Sequence, residues 1–338
     1  MRVEGGVGRT TLGKSEIEVS RLCFGTYKLG SKLDAPSALD LLVTAYESGI
    51  NFFDTSDNYL GAEALIGIAI RDGILPRNEI VIATKTGLSR SEYEARDFQS
   101  AGKESDNSSS RIRQQVEHSL RVMGVDIIDL YQIHVYSSEV GPKGIASTMN
   151  DLINKGKIRH WGVSNYNEPA LVEMNQVCEE ENLQGPVSLQ NFYNLRERKY
   201  EEAFLEARSN GMTILAFSPL YKGVLREHIL SQINVLEENL AELRGQEAPL
   251  SERNKTELRN AEYSLRVVRK LKELNEYARD HGGNLQQLAL AWILSKEATI
   301  PILGAYRKEY LEDLLPAASW ELDDEGIALV DNYSEEDC

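Results

Sequence analysis

The sequence predicts a (β/α)8 barrel, the TIM-barrel class of the α/β folds. Short β-branched runs alternate with amphipathic stretches along most of the 338 residues. Several runs are apolar throughout, which is typical of parallel strands buried on both faces. Four helix patterns also end in glycine shortly before the next strand, as repeating βα units do. A doubly wound open sheet is the alternative, but residues 24–27 (FGTY) lack the glycine-rich loop expected after its first strand.

The predicted elements follow one another in the order that a barrel requires. Eight runs are predicted as its strands: Leu22–Phe24, Asn51–Asp54, Ile80–Thr84, Ile127–Ile133, Ile158–Val163, Val187–Gln190, Thr213–Phe217 and Thr299–Ile302. The four helices that end in glycine are predicted over Ala35–Ser48, Ser108–Met123, Asn150–Lys155 and Glu201–Asn210. Ser108 is the expected N-cap of the second helix. One domain spanning residues 1–338 is therefore predicted.

The segment after the seventh strand breaks the βα rhythm. Apolar residues recur there at helical spacing in two series: Ile229, Ile233, Leu236, Leu240 and Leu243, and then Leu258, Ala261, Leu265 and Val268. Residues 245–249 between the two series have the composition of a turn. Two such seams joined by a turn predict an antiparallel helical hairpin, inserted after strand 7 over residues 226–264.

Composition excludes several classes of partner. The chain carries 37 basic and 53 acidic residues, a net charge of −16 that repels nucleic acid and anionic membranes. Its three cysteines follow no disulfide or metal-ligand spacing, so we expect a reducing compartment and no metal. No apolar run approaches the roughly 20 residues that span a bilayer, and no secretory leader is evident. A cytoplasmic protein is predicted.

Four ionisable residues stand at or just beyond the ends of predicted strands. Asp54, Lys85 and His134 follow apolar runs, and Tyr59 lies in the loop after Asp54. In a parallel barrel these strand ends form the active-site face. Tyrosine, with a pKa of about 10, is a poor acid unless a nearby ammonium group lowers that pKa.

Asp54 would orient Lys85, and a neutral His134 could hydrogen-bond a carbonyl oxygen. Taken singly, such residues are more often caps, solvated side chains or packing residues. Together they favour a site that donates a proton to a carbonyl group.

Four segments, in this order, resemble the signature of the aldo-keto reductase family: residues 51–59 (NFFDTSDNY), 83–85 (ATK), 129–134 (DLYQIH) and 156–165 (GKIRHWGVSN). The resemblance extends from about Leu12 to about Val330, outside the hairpin. It implies the barrel fold, a nicotinamide cofactor and a small-molecule carbonyl substrate that is reduced to an alcohol. It also implies that Tyr59 is the acid of a tetrad with Asp54, Lys85 and His134.

The resemblance further implies a nicotinamide site. Residues in this region match the family's cofactor contacts: Gly25, Thr26, Asp54, Ser164, Asn165, Gln190, Phe217, Ser218, Pro219 and Leu220. Ser164, Asn165 and Gln190 would hold the carboxamide, and Phe217 would stack on the nicotinamide ring. Two alternatives stay open: Ser164 and Asn165 could cap the following helix, and Phe217 could be barrel core.

Residues 300–308 resemble the family's segment for the adenosine 2′-phosphate, with departures. Tyr306 stands where Arg or Ser is usual, and Arg307 and Lys308 beside it could supply the charge. In the adenine-contact pattern the usual Gln and Asn are missing. The remaining candidate contacts are Gly304, Tyr306, Arg307, Lys308, Tyr310 and Asp313. NADP(H) is favoured and NAD(H) stays open, as does a merely solvated helix start at Arg307 and Lys308.

Substrate contacts are predicted for Tyr27, Tyr59 and His134, with Trp161 as either substrate surface or core. The hairpin is either a lid or subunit contact over the cofactor, through which an oligomer could form, or a solvated excursion without a role. The competing function is a cofactor-sensing regulatory subunit of a larger complex with little turnover.

Overall fold

Eight parallel strands close into a barrel in the computed structural model, which describes residues 6–88, 105–137, 140–223, 225, 227–244 and 252–333. A short antiparallel pair, β1 (Arg9–Thr11) and β2 (Glu18–Ser20), precedes the barrel. The barrel strands are β3 (Cys23–Gly25), β4 (Phe52–Asp54), β5 (Val81–Thr86), β6 (Ile128–Ile133), β7 (Ile158–Ser164), β8 (Ser188–Phe192), β9 (Thr213–Phe217) and β10 (Thr299–Leu303). They pair in chain order, and β10 closes on β3. The predicted barrel is confirmed, and the open-sheet alternative is wrong.

Helices surround this barrel. The described α-helices are α1 (Leu29–Lys32), α2 (Ala35–Glu47), α3 (Ala62–Arg71), α4 (Ser109–Met123), α5 (Pro142–Asn154), α6 (Glu168–Glu180), α7 (Glu201–Ser209), α8 (Ile233–Arg244), α9 (Glu252–Asp280), α10 (Leu285–Ser295), α11 (Lys308–Leu314) and α12 (Asp324–Asp331). Within the described ranges, none of them is long and apolar enough to cross a bilayer.

Alternation along the strands divides the interior into two layers. Successive side chains of a strand point to opposite faces, so residues two apart share the lumen. Phe52, Val81 and Leu130 pack in the apolar lumen cluster. The same alternation brings Asp54 and Lys85 into the lumen at its carboxyl end. The apolar layer is therefore the floor on which the polar site rests.

The N-terminal pair closes the other end of the lumen. Leu12, Ile17 and Val19 belong to the lumen cluster although they precede the barrel in sequence. The backbone N–H of Gly13 donates to Thr213 Oγ1 at 2.7 Å and ties this pair to β9. Its exposed strand β1 has no apolar run, so no strand was predicted there.

Helix caps explain which helix bounds were foreseen. Ser108 caps α4 by accepting a hydrogen bond from the Arg111 backbone N–H, as predicted. The helix predicted over Asn150–Lys155 instead begins at Pro142, because a proline in the first turn loses no helical hydrogen bond. The helices α3 and α6 lie between predicted strands but were not themselves predicted.

The segment after β9 contains two helices that pack against each other, α8 and α9. The predicted turn at residues 245–249 lies outside the described residues. The second helix does not end at residue 264, as the hairpin prediction had it, but continues to Asp280. Leu271 and Leu274 of that continuation are buried in the core between barrel and helices, which explains why the helix does not stop. That residues 226–264 form an inserted unit remains a prediction.

Candidate active site

A buried ion pair lies at the carboxyl end of the lumen. Lys85 Nζ is 2.8 and 2.7 Å from the two carboxylate oxygens of Asp54, and it donates to the Thr55 carbonyl at 2.6 Å. Lys85 has no exposed surface and Asp54 is 2% exposed. Because removing one ion from such a pair leaves an uncompensated buried charge, each residue depends on the other.

Tyr59 and His134 complete the group around this ion pair. Lys85 Nζ lies 5.0 Å from the centre of the half-buried Tyr59 ring. The Tyr59 ring meets the His134 ring edge to face at 6.2 Å and the Tyr27 ring at 5.3 Å. All four predicted tetrad residues are thus together at one end of the barrel, with Tyr27 beside them. An ammonium group within about 6 Å of an aromatic ring centre is attracted to the face of that ring.

His134 follows β6 and is held neutral. Its backbone N–H donates to the Thr86 carbonyl at 2.8 Å, so the strand pairing continues into the site. Burial, and then the nearby charge of Lys85, lower the pKa of His134 well below the ordinary value. A neutral imidazole has one N–H and one bare nitrogen, and it can hydrogen-bond a carbonyl oxygen without competing with Tyr59 for the role of acid.

We expect this His134 environment to make the protein less stable in mild acid. The native ring stays neutral, whereas the unfolded ring takes up a proton below about pH 6.5. The unfolded state then binds more protons, so the free energy of unfolding falls as the pH drops below about 6.5 and recovers above it. The contribution is at most about 1.4 kcal/mol per pH unit. Urea unfolding of the wild type and His134→Gln measures it, and equal pH slopes would contradict the neutral ring.

Three amide and hydroxyl side chains lie beside the tetrad. Gln190 Nε2 donates to Asp54 Oδ1 at 2.8 Å, which ties β8 to the ion pair. Asn165 Nδ2 donates to the His134 carbonyl at 2.9 Å and to Ser164 Oγ at 3.1 Å. No donor within the described residues reaches the carboxamide oxygens of Gln190 or Asn165. Those oxygens can accept hydrogen bonds from an amide NH2 group, so the residues fit a nicotinamide carboxamide.

The alternative role of Ser164 and Asn165 as helix caps is wrong. Asn167 caps α6, since its side chain accepts a hydrogen bond from the Ala170 backbone N–H. Asn165 has a φ of 58°, a left-handed conformation that asparagine tolerates better than most residues. This backbone turn directs the chain from β7 across the barrel end before the helix begins. Such conformations cluster at functional sites.

Phe217 ends β9 in a stack of aromatic rings. It is half-buried and packs against the apolar lumen cluster, so it lies at the edge of the barrel core. Its ring stacks on Phe192 at 5.5 Å, Phe192 stacks on Tyr221 at 5.9 Å, and Arg196 covers Tyr221 at 4.6 Å. This stack is a continuous series of aromatic rings that begins at the end of β9. Of the other predicted contacts, Pro219 and Leu220 are buried and Ser218 is half-buried.

Two cations surround Tyr306 beyond β10. Lys28 Nζ lies 5.1 Å and Arg307 Cζ 5.8 Å from the centre of the Tyr306 ring. Arg307 and Lys308 are exposed at the start of α11, and the Tyr310 ring lies 6.1 Å from that of Tyr306. Clustered cations on a protein of net charge −16 suit an anionic ligand such as a phosphate.

Several predicted residues occupy less direct positions. The exposed Asp313 carboxylate accepts from Asn284 Nδ2 at 3.2 and 3.3 Å. Trp161 is fully buried and donates to the Gln184 carbonyl, so it is core and not substrate surface. Gly25 pairs with Asp54 in the β3–β4 register, and a Cβ atom there would lie 3.2 Å from the Leu303 carbonyl oxygen. Thr26 donates to the Asp54 carbonyl at 3.0 Å.

Sequence reasoning missed the polar residues that support the tetrad. Gln132 Nε2 donates to Asp54 Oδ1 at 3.4 Å. The Thr55 carbonyl accepts a hydrogen bond from Lys85 Nζ, and Ser56 Oγ contacts His134 Nδ1. Asp57 follows Ser56 and accepts hydrogen bonds from neighbouring elements. Their signal was present, because all four lie inside segments 51–59 and 129–134. Among the described residues no group of histidine, cysteine, aspartate and glutamate is arranged to hold a metal.

Comparison with known proteins agrees with this geometry. The sequence model of the Aldo/keto reductase family matches residues 21–335. The uncharacterized oxidoreductase YrpG of Bacillus subtilis is 28% identical over 333 residues, covering 96% of this chain and 94% of its own. An NADH-specific methylglyoxal reductase of Escherichia coli is 28% identical over 340 residues, covering 96% and 97%.

A solved structure supports the same conclusion. The thermostable aldo-keto reductase Tm1743, crystallised with the inhibitor epalrestat, superposes with a TM-score of 0.71 at 26% identity. The match covers 96% of this chain and 98% of that protein. The chain has a barrel of eight parallel strands, and the family model and the relatives match nearly its whole length. The chain therefore belongs to the aldo/keto reductase family.

Proposed function

We propose that this oxidoreductase reduces an aldehyde or ketone to an alcohol, with NADP(H) as the preferred cofactor and Tyr59 as the proton donor. The observation that carries the proposal is the position of Lys85. Its ammonium group is held by Asp54 on one side and lies 5.0 Å from the Tyr59 ring on the other. The cofactor, when bound, supplies a hydride to the carbonyl carbon.

The chain's own residues do the rest. Tyr59 gives its phenolic proton to the carbonyl oxygen, and Lys85 stabilises the phenolate that remains. Asp54 prevents the ammonium group from moving away. His134 positions the carbonyl oxygen. Ser164, Asn165 and Gln190 would hold the carboxamide of the cofactor, and Phe217 would stack on its nicotinamide ring. Burial of the ion pair keeps water from weakening these electrostatic interactions.

Turnover with simple carbonyl compounds tests this function directly. Short-chain, aromatic, sugar and dicarbonyl aldehydes should each be assayed by loss of reduced-nucleotide absorbance, with NADPH and with NADH. Measurable turnover with at least one aldehyde is expected. Tight nucleotide binding without turnover on any of them would instead favour the cofactor-sensing subunit.

The cations around Tyr306 should decide the choice of nucleotide. Lys28→Met and Arg307→Met are each expected to raise the KM for NADPH by about 10- to 150-fold, since a hydrogen bond to a charged group is worth about 1.5–3 kcal/mol. The KM for NADH should change much less, because NADH lacks the 2′-phosphate. Lys143→Met, on the distant helix α5, is the control for loss of one positive charge. Equal losses for both nucleotides would place these cations on a group that the two share.

The helices α8 and α9 are proposed as a subunit contact. Val235 on α8 is 56% exposed, so it offers apolar surface that a second copy of the chain could cover. Val235→Glu should then weaken self-association in sedimentation velocity. A wild-type protein that sediments as a monomer at all concentrations would rule this contact out.

A further inference from the structure

Ser56 connects the proposed active site to a second acid, Asp57. The Ser56 hydroxyl oxygen lies 3.2 Å from His134 Nδ1 and also 3.2 Å from Asp57 Oδ1. A third acceptor, the Lys85 carbonyl, is farther away at 3.5 Å. Ser56 is fully buried and His134 is 4% exposed, so water cannot easily replace either contact. A continuous polar chain therefore runs from the imidazole through the hydroxyl to the carboxyl group.

The Ser56 hydroxyl has more neighbouring acceptors than it has hydrogens to donate. A serine hydroxyl has one hydrogen, and both Asp57 Oδ1 and His134 Nδ1 can accept it. Since the two distances are equal, the charge on Asp57 decides between them. An ionised Asp57 takes the hydroxyl hydrogen, and Ser56 Oγ must then accept a hydrogen from His134 Nδ1. A protonated Asp57 donates to Ser56 Oγ, and the hydroxyl hydrogen is then free for a bare Nδ1.

Asp57 is placed where its charge state can change. It is half-buried, and loss of solvation raises its pKa above the ordinary value. Gln115 Nε2 and Thr86 Oγ1 donate to its other oxygen, Oδ2, at 2.8 and 3.1 Å. Oδ1 faces only Ser56 among its described partners, so it is the oxygen that a proton would occupy.

The charged neighbours of Asp57 pull in opposite directions. Arg111 on α4 lowers the pKa of Asp57. Burial raises the pKa of Glu63 on α3, and repulsion from the negative charge of Asp57 raises it further. Burial, and then the negative charge of Asp57, raise the pKa of Tyr131 on β6. His134, neutral as argued above, and the Lys85 backbone complete the described surroundings.

We propose that Asp57 is a positioning residue that selects the tautomer of His134 through Ser56. With Asp57 ionised, the imidazole carries its hydrogen on Nδ1, and the bare Nε2 can only accept a hydrogen bond. With Asp57 protonated, Nδ1 is the acceptor and Nε2 carries the hydrogen.

The interconversion is balanced by one proton. Nε2 takes a proton from the solvent side, Nδ1 passes its hydrogen to Ser56, and Ser56 passes its own to Asp57. The net change is that His134, Ser56 and Asp57 together gain one proton, and no oxidant or reductant is needed.

This selection deepens the proposed function and rests on it for its chemical meaning. Only the tautomer with hydrogen on Nε2 can donate to a carbonyl oxygen, so that tautomer favours reduction. The tautomer with a bare Nε2 can accept from an alcohol hydroxyl, so it favours the reverse oxidation. Asp57 would thereby link the direction of catalysis to pH.

Nitrogen NMR of histidine-labelled protein tests the tautomer without any need for catalysis. The chain has five histidines, and His134→Gln assigns the signals of interest. At about pH 8, we expect the wild type to carry its hydrogen on Nδ1. In Asp57→Asn the amide nitrogen can replace Oδ1 and donate to Ser56, which mimics the protonated acid. That variant should carry the hydrogen on Nε2 at every pH.

A matched control and a second variant keep the test decisive. Glu63→Gln changes a more deeply buried acid that is bonded to Thr84 and not to Ser56, so it should retain the wild-type tautomer at about pH 8. Ser56→Ala removes the hydroxyl that joins His134 to Asp57, so the tautomer of His134 should no longer depend on pH. The same tautomer in the wild type and Asp57→Asn at about pH 8, or a change to the Nε2 tautomer in Glu63→Gln at that pH, would overturn the proposal.

Kinetics supply the second measurement. As the pH rises and Asp57 ionises, reduction by the wild type should lose about tenfold in kcat/KM relative to Asp57→Asn. A tautomer switch without turnover in any variant would support the Asp57 proposal and reject the reductase. Turnover whose pH profile is identical in both proteins would reject the Asp57 proposal alone.

Discussion

Replacing Tyr59 with phenylalanine should lower carbonyl reduction by about 10²- to 10⁴-fold, the range typical of losing a positioned general acid. The ring remains, so its edge-to-face contacts with Tyr27 and His134 and its contact with the Lys85 ammonium should persist. Cofactor affinity should therefore stay near the wild-type value. Steady-state kinetics and nucleotide fluorescence titration, made on the same preparation, separate the two effects.

The control for this change is Tyr46→Phe. Tyr46, on α2, donates its hydroxyl to Glu79 at 2.6 Å on the surface of the protein. The Tyr46→Phe substitution removes one tyrosine hydroxyl far from the barrel end and should leave turnover unchanged. Full turnover in Tyr59→Phe would assign the acid to another group, and loss of nucleotide binding in that variant would point to a structural defect.

The second large effect concerns the stability of the Asp54–Lys85 ion pair. Removing either partner should lower the free energy of unfolding by about 3–5 kcal/mol, because the other charge remains buried. We expect Asp54→Ala to cost more than Lys85→Met. Without Asp54, the ammonium group keeps only the Thr55 carbonyl, whereas without Lys85 the carboxylate keeps the Gln190 and Gln132 amides.

Urea unfolding at neutral pH measures both losses. Lys143→Met is the matched control, since Lys143 pairs with Glu181 at 2.7 Å but its side chain is 65% exposed. Solvent screening should hold its cost below about 1 kcal/mol. A surface-like cost for Lys85→Met, or a smaller loss for Asp54→Ala than for Lys85→Met, would contradict this account of the pair.

The two predictions depend on different kinds of information. Asp54, Lys85 and His134 could be found in the sequence because each follows a short apolar run, and a parallel barrel brings strand ends to one face. Tyr59 could be found because it lies a short loop away from Asp54. Their ring and atom distances could not be predicted, since these depend on the register between strands.

Other features needed contacts between residues far apart in sequence. Lys28 and Tyr306 meet only because β10 closes on β3, which no local pattern indicates. The pair β1–β2 and the segment between its strands close the barrel floor, although the strands are too short and polar to be recognised. The helix α9 continues past the predicted hairpin because its later residues pack on the barrel helices.

By itself, the sequence determined the barrel class and predicted the four ionisable residues that meet at one end of the barrel. Both follow from local patterns, namely the period of apolar residues and the ionisable groups that end them. Only the tertiary structure decided how Ser56 lies between His134 and Asp57, which residues face the Lys85 ammonium, and which cations surround Tyr306. Those arrangements depend on strand register and burial, which are set by the packing of the whole chain.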